Sequence, residues 1–154
     1  MNYWLMKSEP ETFSIDDLEA CPKKTTHWDG VRNYQARNFM RDGMQRGDLA
    51  FFYHSNCELP AIAGVVKIVK TGYPDHTAFA AHDQHYDPQS DPAKPRWYMV
   101  DVQFQRKLKR PISLEELRKY RNGALKGLAL LQRGNRLSIT AVSATQWKFI
   151  LALE

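Results

Sequence analysis

Cysteine is scarce in this sequence: only Cys21 and Cys57 occur, at a separation that matches no metal-binding or redox motif. The chain therefore offers no disulfide framework, and we expect a reducing intracellular compartment, the cytoplasm or, in a eukaryote, the nucleus. No apolar run approaches the ~20 residues that a membrane helix requires. The first residues do not combine a charged segment with an apolar one, so we also expect no secretory signal.

The usual motifs of enzymes are missing as well. The sequence has no phosphate-binding glycine loop, no nucleophile elbow and no paired catalytic carboxylates. Cys57 follows His54 by three residues, and on an extended strand such residues point to opposite faces, which disfavours a thiol–imidazole pair. The histidines and aspartates between residues 76 and 87 match no defined metal site, and we interpret them as solvated loop residues. We expect no metal, no cofactor and no catalytic residue.

The composition favours one globular domain over residues 1–154, with 43% hydrophobic and 25% charged residues. Lysine and arginine number 22 against 17 aspartates and glutamates, so the net charge is +5. This excess points only weakly to an anionic partner. The aromatic content of 12% is more informative, because it exceeds what a core of this size needs.

The same local sequence pattern predicts the start of three helices. Ser14, Ser113 and Ser143 each stand between two apolar residues in the arrangement of an N-cap with a hydrophobic staple. Glu116 and Gln146 stand three residues after the second and third serines, where each would complete a capping box.

A fourth helix and several strands follow from the same patterns. Asn33 is predicted to cap a helix over residues 34–42, which ends at Gly43. Residues 72–95 form a long irregular loop, typical of a functional segment or of one that covers a site. Short strands between unequal helices favour a mixed α+β fold. The predicted strands cover residues 2–7, a hairpin of 49–55 and 61–71, and the alternating segment 97–105.

Aromatic residues stand beside short polar groups where these elements end. Trp28 precedes the predicted Asn33 cap, and Trp97 lies on the strand face opposite the apolar stripe. Lys7 and Ser8 end the first strand. Such residues suit a flat, hydrogen-bonding ring that is stacked on one side and contacted along its edge. Lysines and arginines around them suggest a phosphate-facing rim, although for any single one a solvated surface is the better explanation.

Several long motifs, in order, resemble the EVE domain family of the thymocyte nuclear protein type, within the PUA-like superfamily that also contains YTH domains. The resemblance covers the whole chain. It implies a PUA-like small mixed β-barrel with flanking helices around one pocket for a modified base flipped out of a nucleic acid. The matching segments are residues 3–10, 28–38, 52–55, 86–88, 95–102 and 137–139 with the final helix.

Carried over to this sequence, the resemblance implies a set of pocket residues. Lys7, Ser8 and Trp28 also match positions of YTH domains. The expected pocket comprises Lys7, Ser8, Trp28, Asn33, Tyr53, His54, Ser55, Trp97, Arg136 and Ser138. The expected phosphate-contacting rim comprises Arg32, Lys67, Lys70 and Arg106.

These residues predict a non-enzymatic module that binds a modified base in DNA or RNA, with no membrane and no obligate protein partner. Two alternatives stay open. The His54–Ser55 pair is compatible with an enzyme that acts on a nucleotide or nucleobase. Exposed aromatic residues are compatible with a protein-interaction domain.

Overall fold

A computed structural model describes all residues, Met1–Glu154, as one six-stranded mixed sheet with short helices around it. The sheet order is β2-β5-β4-β3-β1-β6. No helix is both long and apolar enough to cross a bilayer. The strands are β1 Tyr3–Ser8, β2 Thr25–His27, β3 Leu49–His54, β4 Ala61–Pro74, β5 Tyr98–Ser113 and β6 Ile139–Val142. The helices are α1 Ile15–Ala20, α2 Tyr34–Asn38, α3 Leu114–Arg118 and α4 Ala144–Leu151.

The two faces of the sheet carry separate apolar cores, because successive residues of a strand point to opposite sides. Phe51 belongs to one core, in which its ring stacks on Trp147 at a centroid distance of 3.9 Å. The next residue, Phe52, belongs to the other core together with Trp4. Both phenylalanines are fully buried, so β3 joins the two cores.

The predicted helix starts are confirmed at Ser14, Ser113 and Ser143, each of which accepts a hydrogen bond from a backbone N–H of the first turn. Gln146 completes its capping box. Glu116 does not, because its carboxylate instead accepts two hydrogen bonds from Arg110.

The Asn33 cap is also confirmed, although its helix changes character before its predicted end. Regular α-helix runs over Tyr34–Asn38 and then widens into a π-helical turn, Phe39–Gly43. The long irregular connection contains one 3₁₀ turn, His76–Phe79.

The predicted hairpin is confirmed as the antiparallel pair β3–β4. The strand predicted over residues 97–105 begins close to its expected start but runs on to Ser113. A bulge explains the difference: Gly64 pairs with Lys107, whereas Ile62, two residues earlier in β4, pairs with Ile112. The extra residues of β5 loop out of the ladder, so this charged segment shows no simple alternation.

The mixed α+β class is confirmed, but closure into a barrel is not. Strand β2 pairs only with β5, and β6 pairs only with β1, so the sheet has two edges. Strand β2 was not predicted, because its three residues are too few for a periodic pattern to show.

Asp48 fixes the start of β1 to the beginning of β3. Asp48 is 2% exposed. Its carboxylate accepts hydrogen bonds from the indole N–H of Trp4 at 3.0 Å and from the backbone N–H groups of Asn2 and Gln45.

Asp48→Ala leaves these donors without a partner, and we expect it to lower the free energy of unfolding by about 1–3 kcal/mol in urea titrations. Asp42→Ala, at an exposed carboxylate, serves as control and should stay close to wild type; an equal loss in both variants would contradict the role of Asp48.

The carboxylate of Glu154 makes the free energy of unfolding depend on pH. Its side chain is 5% exposed and accepts two hydrogen bonds from Arg106, which lowers the pKa of Glu154 to about 2 despite its burial. A lowered folded-state pKa stabilises the fold above the ordinary value of 4.5, and this contribution disappears as the pH falls toward 2. Glu154→Gln should therefore melt below wild type at pH 7, and the two melting temperatures should converge near pH 2. A constant difference across this range would refute the assignment.

Candidate nucleic-acid interface

The candidate site forms where β1 and β3 end side by side. The two strands are parallel, and Lys7 and Ser8 lie opposite Tyr53 and His54. The N–H of Ser55 donates to the carbonyl of Ser8 at 2.9 Å, which extends the pairing beyond the strands. The structure thus brings these predicted residues together, because carboxyl ends of parallel strands share one edge of a sheet.

Ser138 joins the same group from the other side of β1. The N–H of Lys7 donates to the carbonyl of Ser138 at 2.8 Å, immediately before β6 begins. Lys7 itself is half-buried, and burial lowers the pKa of its ammonium group. The ammonium makes no hydrogen bond or ion pair within the protein, so it is free to contact a ligand.

A cavity of 660 Å³ opens beside Lys7 and Ser8, within the size range of small-molecule pockets. We call it the first cavity. Trp28 supplies an aromatic wall. Its backbone N–H donates to the carbonyl of Val100 at 2.7 Å, which continues the β2–β5 ladder. The ring of Trp28 meets Phe52 edge-on at 5.6 Å. The lining residues are Lys7, Ser8, Thr12, Phe13, Thr26, His27, Trp28, Asp29, His82, Asp83, Gln84 and His85.

The far wall of the first cavity comes from the long loop, which a buried carboxylate holds in place. Asp75 is fully buried and accepts hydrogen bonds from the Gly30 N–H at 2.8 Å, from Arg32 at 3.0 Å and from Thr77. Burial raises the pKa of Asp75, but these hydrogen bonds outweigh it and the pKa lies below its ordinary value. The carboxylate therefore stays ionised and ties the loop to the turn after Trp28.

Arg32 links Asp75 to His85, which lines the first cavity. Its guanidinium donates to the carbonyl of His85 at 2.6 Å as well as to Asp75. The His85 ring lies so close to Gly30 that a Cβ there would stand 2.5 Å from it. Arg32 was predicted to contact phosphate, but the structure places it in the internal network of the loop.

The other predicted rim residues do not gather around the first cavity. Arg106 is held by Glu154, and Lys70 lies over the Tyr73 ring at 4.1 Å. Lys67 is exposed on β4, and none of these three lines a cavity.

Seven of the ten predicted pocket residues do not line the first cavity, and contacts elsewhere in the fold account for several of them. Asn33 caps α2, accepting from the Ala36 N–H at 3.0 Å. His54 accepts from the Ile15 N–H at 3.1 Å, and burial lowers the pKa of its imidazole. Trp97 and Arg136 do not line it either.

Trp97 is 6% exposed, and its surroundings explain why its position on the outer strand face was misleading. Its indole N–H donates to Asp87 at 2.7 Å, and its ring stacks on Tyr34 at 4.9 Å. Trp97 therefore anchors the long loop through Asp87.

Tyr53 and Ser55 line a second cavity of 470 Å³. Lys7 lines both cavities. Five of the ten predicted pocket residues thus line one or both of the two cavities, whereas Asn33, His54, Trp97, Arg136 and Ser138 line neither.

Sequence reasoning missed the residues that the long loop adds. His82, Asp83 and His85 were interpreted as solvated, yet they line the first cavity. Loop length was the one available signal, since it predicted a segment that covers a site. Thr12, Phe13 and Asp29 had no signal, because their positions depend on how the chain turns after β1 and β2.

The chemistry of the first cavity suits a polar planar ring. Asp29 and Asp83 are hydrogen-bond acceptors, Lys7 is a donor, and Trp28 and Phe13 are its only large apolar surfaces. Such a cavity can stack a ring on one side and bond its edge on another.

The chain is similar to known proteins over nearly its whole length. The chain is 54% identical to thymocyte nuclear protein 1 of Rattus norvegicus over 99% of this chain and 74% of that protein. A crystal structure of the human THYN1 protein in complex with 5-methylcytosine-containing DNA matches with 52% identity and a TM-score of 0.95, covering 99% of this chain and 97% of that one. A Pseudomonas syringae protein matches with 48% identity and a TM-score of 0.91, covering 98% of both chains. The EVE domain model matches residues 2–153, and the chain belongs to the EVE domain family.

Proposed function

We propose that this protein binds DNA containing 5-methylcytosine and holds the modified base in the first cavity without transforming it. The observation that carries the proposal is the position of Trp28, which packs in one core, is 8% exposed and lines a 660 Å³ cavity together with charged and polar groups. The complex of human THYN1 with 5-methylcytosine-containing DNA supports DNA as the polymer.

The cavity offers a partner for each part of a methylated cytosine. Carboxylates accept hydrogen bonds from the exocyclic amine of cytosine, and Asp29 and Asp83 are both present. Lys7 donates toward ring or carbonyl acceptors. Phe13 and Trp28 supply the apolar surface that a 5-methyl group needs. A base without these features leaves buried polar groups unpaired, which is the source of selectivity.

The energies are compatible with a flipped base. Removing a base from the duplex stack costs a few kcal/mol. Stacking on an aromatic side chain returns about 1–3 kcal/mol per base. Hydrogen bonds to the base edge and attraction between phosphates and the basic surface supply the remainder.

The structure gives no support to the enzyme alternative, which depends on His54 as a base. The Nε2 atom of His54 is the acceptor for the first N–H of α1, so the nitrogen that would take a proton is already used. His54 also lines neither cavity. The protein-interaction alternative depends on exposed aromatics: Trp97 is buried, whereas Tyr34 and Tyr86 are exposed.

Trp28→Ala removes the stacking wall. We expect it to weaken binding of a duplex with one 5-methylcytosine by roughly 5- to 150-fold, the equivalent of about 1–3 kcal/mol, in fluorescence polarisation. Tyr34→Ala is the control, because Tyr34 is an exposed aromatic residue outside the cavity. Wild-type affinity in a folded Trp28→Ala variant, or equal losses in both variants, would overturn the proposal.

Gly30→Ala tests the loop wall. A methyl group there would meet the His85 ring at 2.5 Å, and the backbone φ of 77° is unfavourable for alanine. We expect weaker binding of methylated DNA, measured as above. Gly47→Ala is a matched control, because its φ of 97° imposes the same backbone strain while its Cβ meets nothing within 4 Å. If Gly47→Ala weakened binding equally, strain alone would account for the effect and the role of His85 would be wrong.

A further inference from the structure

The second cavity, 470 Å³ in volume, has a charge distribution unlike that of the first. Its lining includes Lys7, Arg118, Arg121 and Arg133 and contains no aspartate or glutamate. The first cavity, by contrast, contains two carboxylates. The remaining lining residues of the second cavity are Tyr53, Ser55, Asn56, Pro60, Leu114, Leu130, Leu131, Gln132, Gly134 and Asn135.

The arginines of the second cavity have no partners. Arg118, Arg121 and Arg133 are exposed and make no hydrogen bond or ion pair with any side chain or carbonyl. Elsewhere in the fold, arginines such as Arg32 and Arg110 are matched to carboxylates at 3.0 Å or less. Unpaired charges of one sign around a concave surface concentrate a positive potential there, which an anion neutralises.

The fold brings these arginines together from two segments of the chain. Arg118 ends α3, Arg121 lies in the turn that follows, and Arg133 precedes the turn at Gly134, where φ is 76°. Distant parts of the chain therefore supply one basic surface beside the end of β1.

Neutral donors complete the second cavity. Burial raises the pKa of Tyr53 to about 12, so its hydroxyl keeps its proton at neutral pH. Ser55 and Asn56 add a hydroxyl and an amide. Arginine, tyrosine, serine and asparagine side chains are the usual donors to phosphate oxygens in protein–DNA complexes.

We propose that the second cavity binds backbone phosphates of the DNA strand whose modified base occupies the first cavity. This inference rests on the proposed function. Lys7 lines both spaces, so a nucleotide with its base on one side of Lys7 has its neighbouring phosphates within reach of the other. The phosphate contacts then come from the segments after β5 and before β6, and not from the rim that the sequence suggested.

Salt-dependent binding tests the second cavity. Affinities of the wild type, of an Arg118→Ala/Arg121→Ala variant and of Arg133→Ala are measured by fluorescence polarisation over a series of KCl concentrations. The duplex carries one 5-methylcytosine or, as its counterpart, cytosine. Arg46→Ala is the matched control, because Arg46 is exposed, has no partner and lines neither cavity.

Each lost phosphate contact should reduce the slope of log affinity against log salt by about 0.9. The double variant is therefore expected to lose roughly two units of slope, and about tenfold or more in affinity at 0.1 M KCl, for both duplexes alike. The ratio between methylated and unmethylated DNA should stay at its wild-type value, since phosphates carry no base identity.

A double-variant slope equal to that of Arg46→Ala would overturn the phosphate assignment. So would an unchanged slope accompanied by binding of inorganic phosphate to the arginines in an NMR titration, because the cavity would then hold a small anion. Failure of the proposed function has a different signature: wild-type protein would bind both duplexes equally. The slopes would still test the second cavity in that case.

Discussion

The buried carboxylate of Asp75 is the constraint on which the candidate site depends. It is fully buried and surrounded by donors from the turn after Trp28 and from the 3₁₀ turn of the long loop. An ionised group in such a place is tolerable only while those donors stay in position. The carboxylate thus fixes two irregular segments relative to each other, and Arg32 passes that order to His85. The loop residues that line the first cavity are thereby held in fixed positions, as the residues of the sheet are.

Much of the fold was predictable from local patterns, and the exceptions have physical reasons. Serine and asparagine caps locate helices because their hydrogen bonds lie within one turn of chain. Glu116 does not complete a capping box because its carboxylate accepts hydrogen bonds from Arg110, which lies six residues earlier on β5. Strand β2 and the bulge of β5 depend on pairing between remote segments, which no local pattern shows.

The site was predictable to a similar degree. Lys7 and Ser8 line the first cavity from the end of a strand that the sequence predicts, whereas Trp28 lines it from the end of β2, which the sequence does not predict. Arg32 and Trp97 contact the long loop, which the sequence does not show, because a charged or aromatic residue next to a loop has the same local signature whether it meets a ligand or anchors that loop. Their partners, Asp75 and Asp87, lie in the loop itself.

The register of β1 gives Lys7 a second significance. Met6 is fully buried beside it, and neighbouring residues of a strand face opposite sides. Sliding β1 by one position along β3 would carry the ammonium into an apolar core and bring a methionine to the surface. The charge of Lys7 therefore also disfavours slipped alignments of β1 against β3. An apolar residue at this position would remove that penalty.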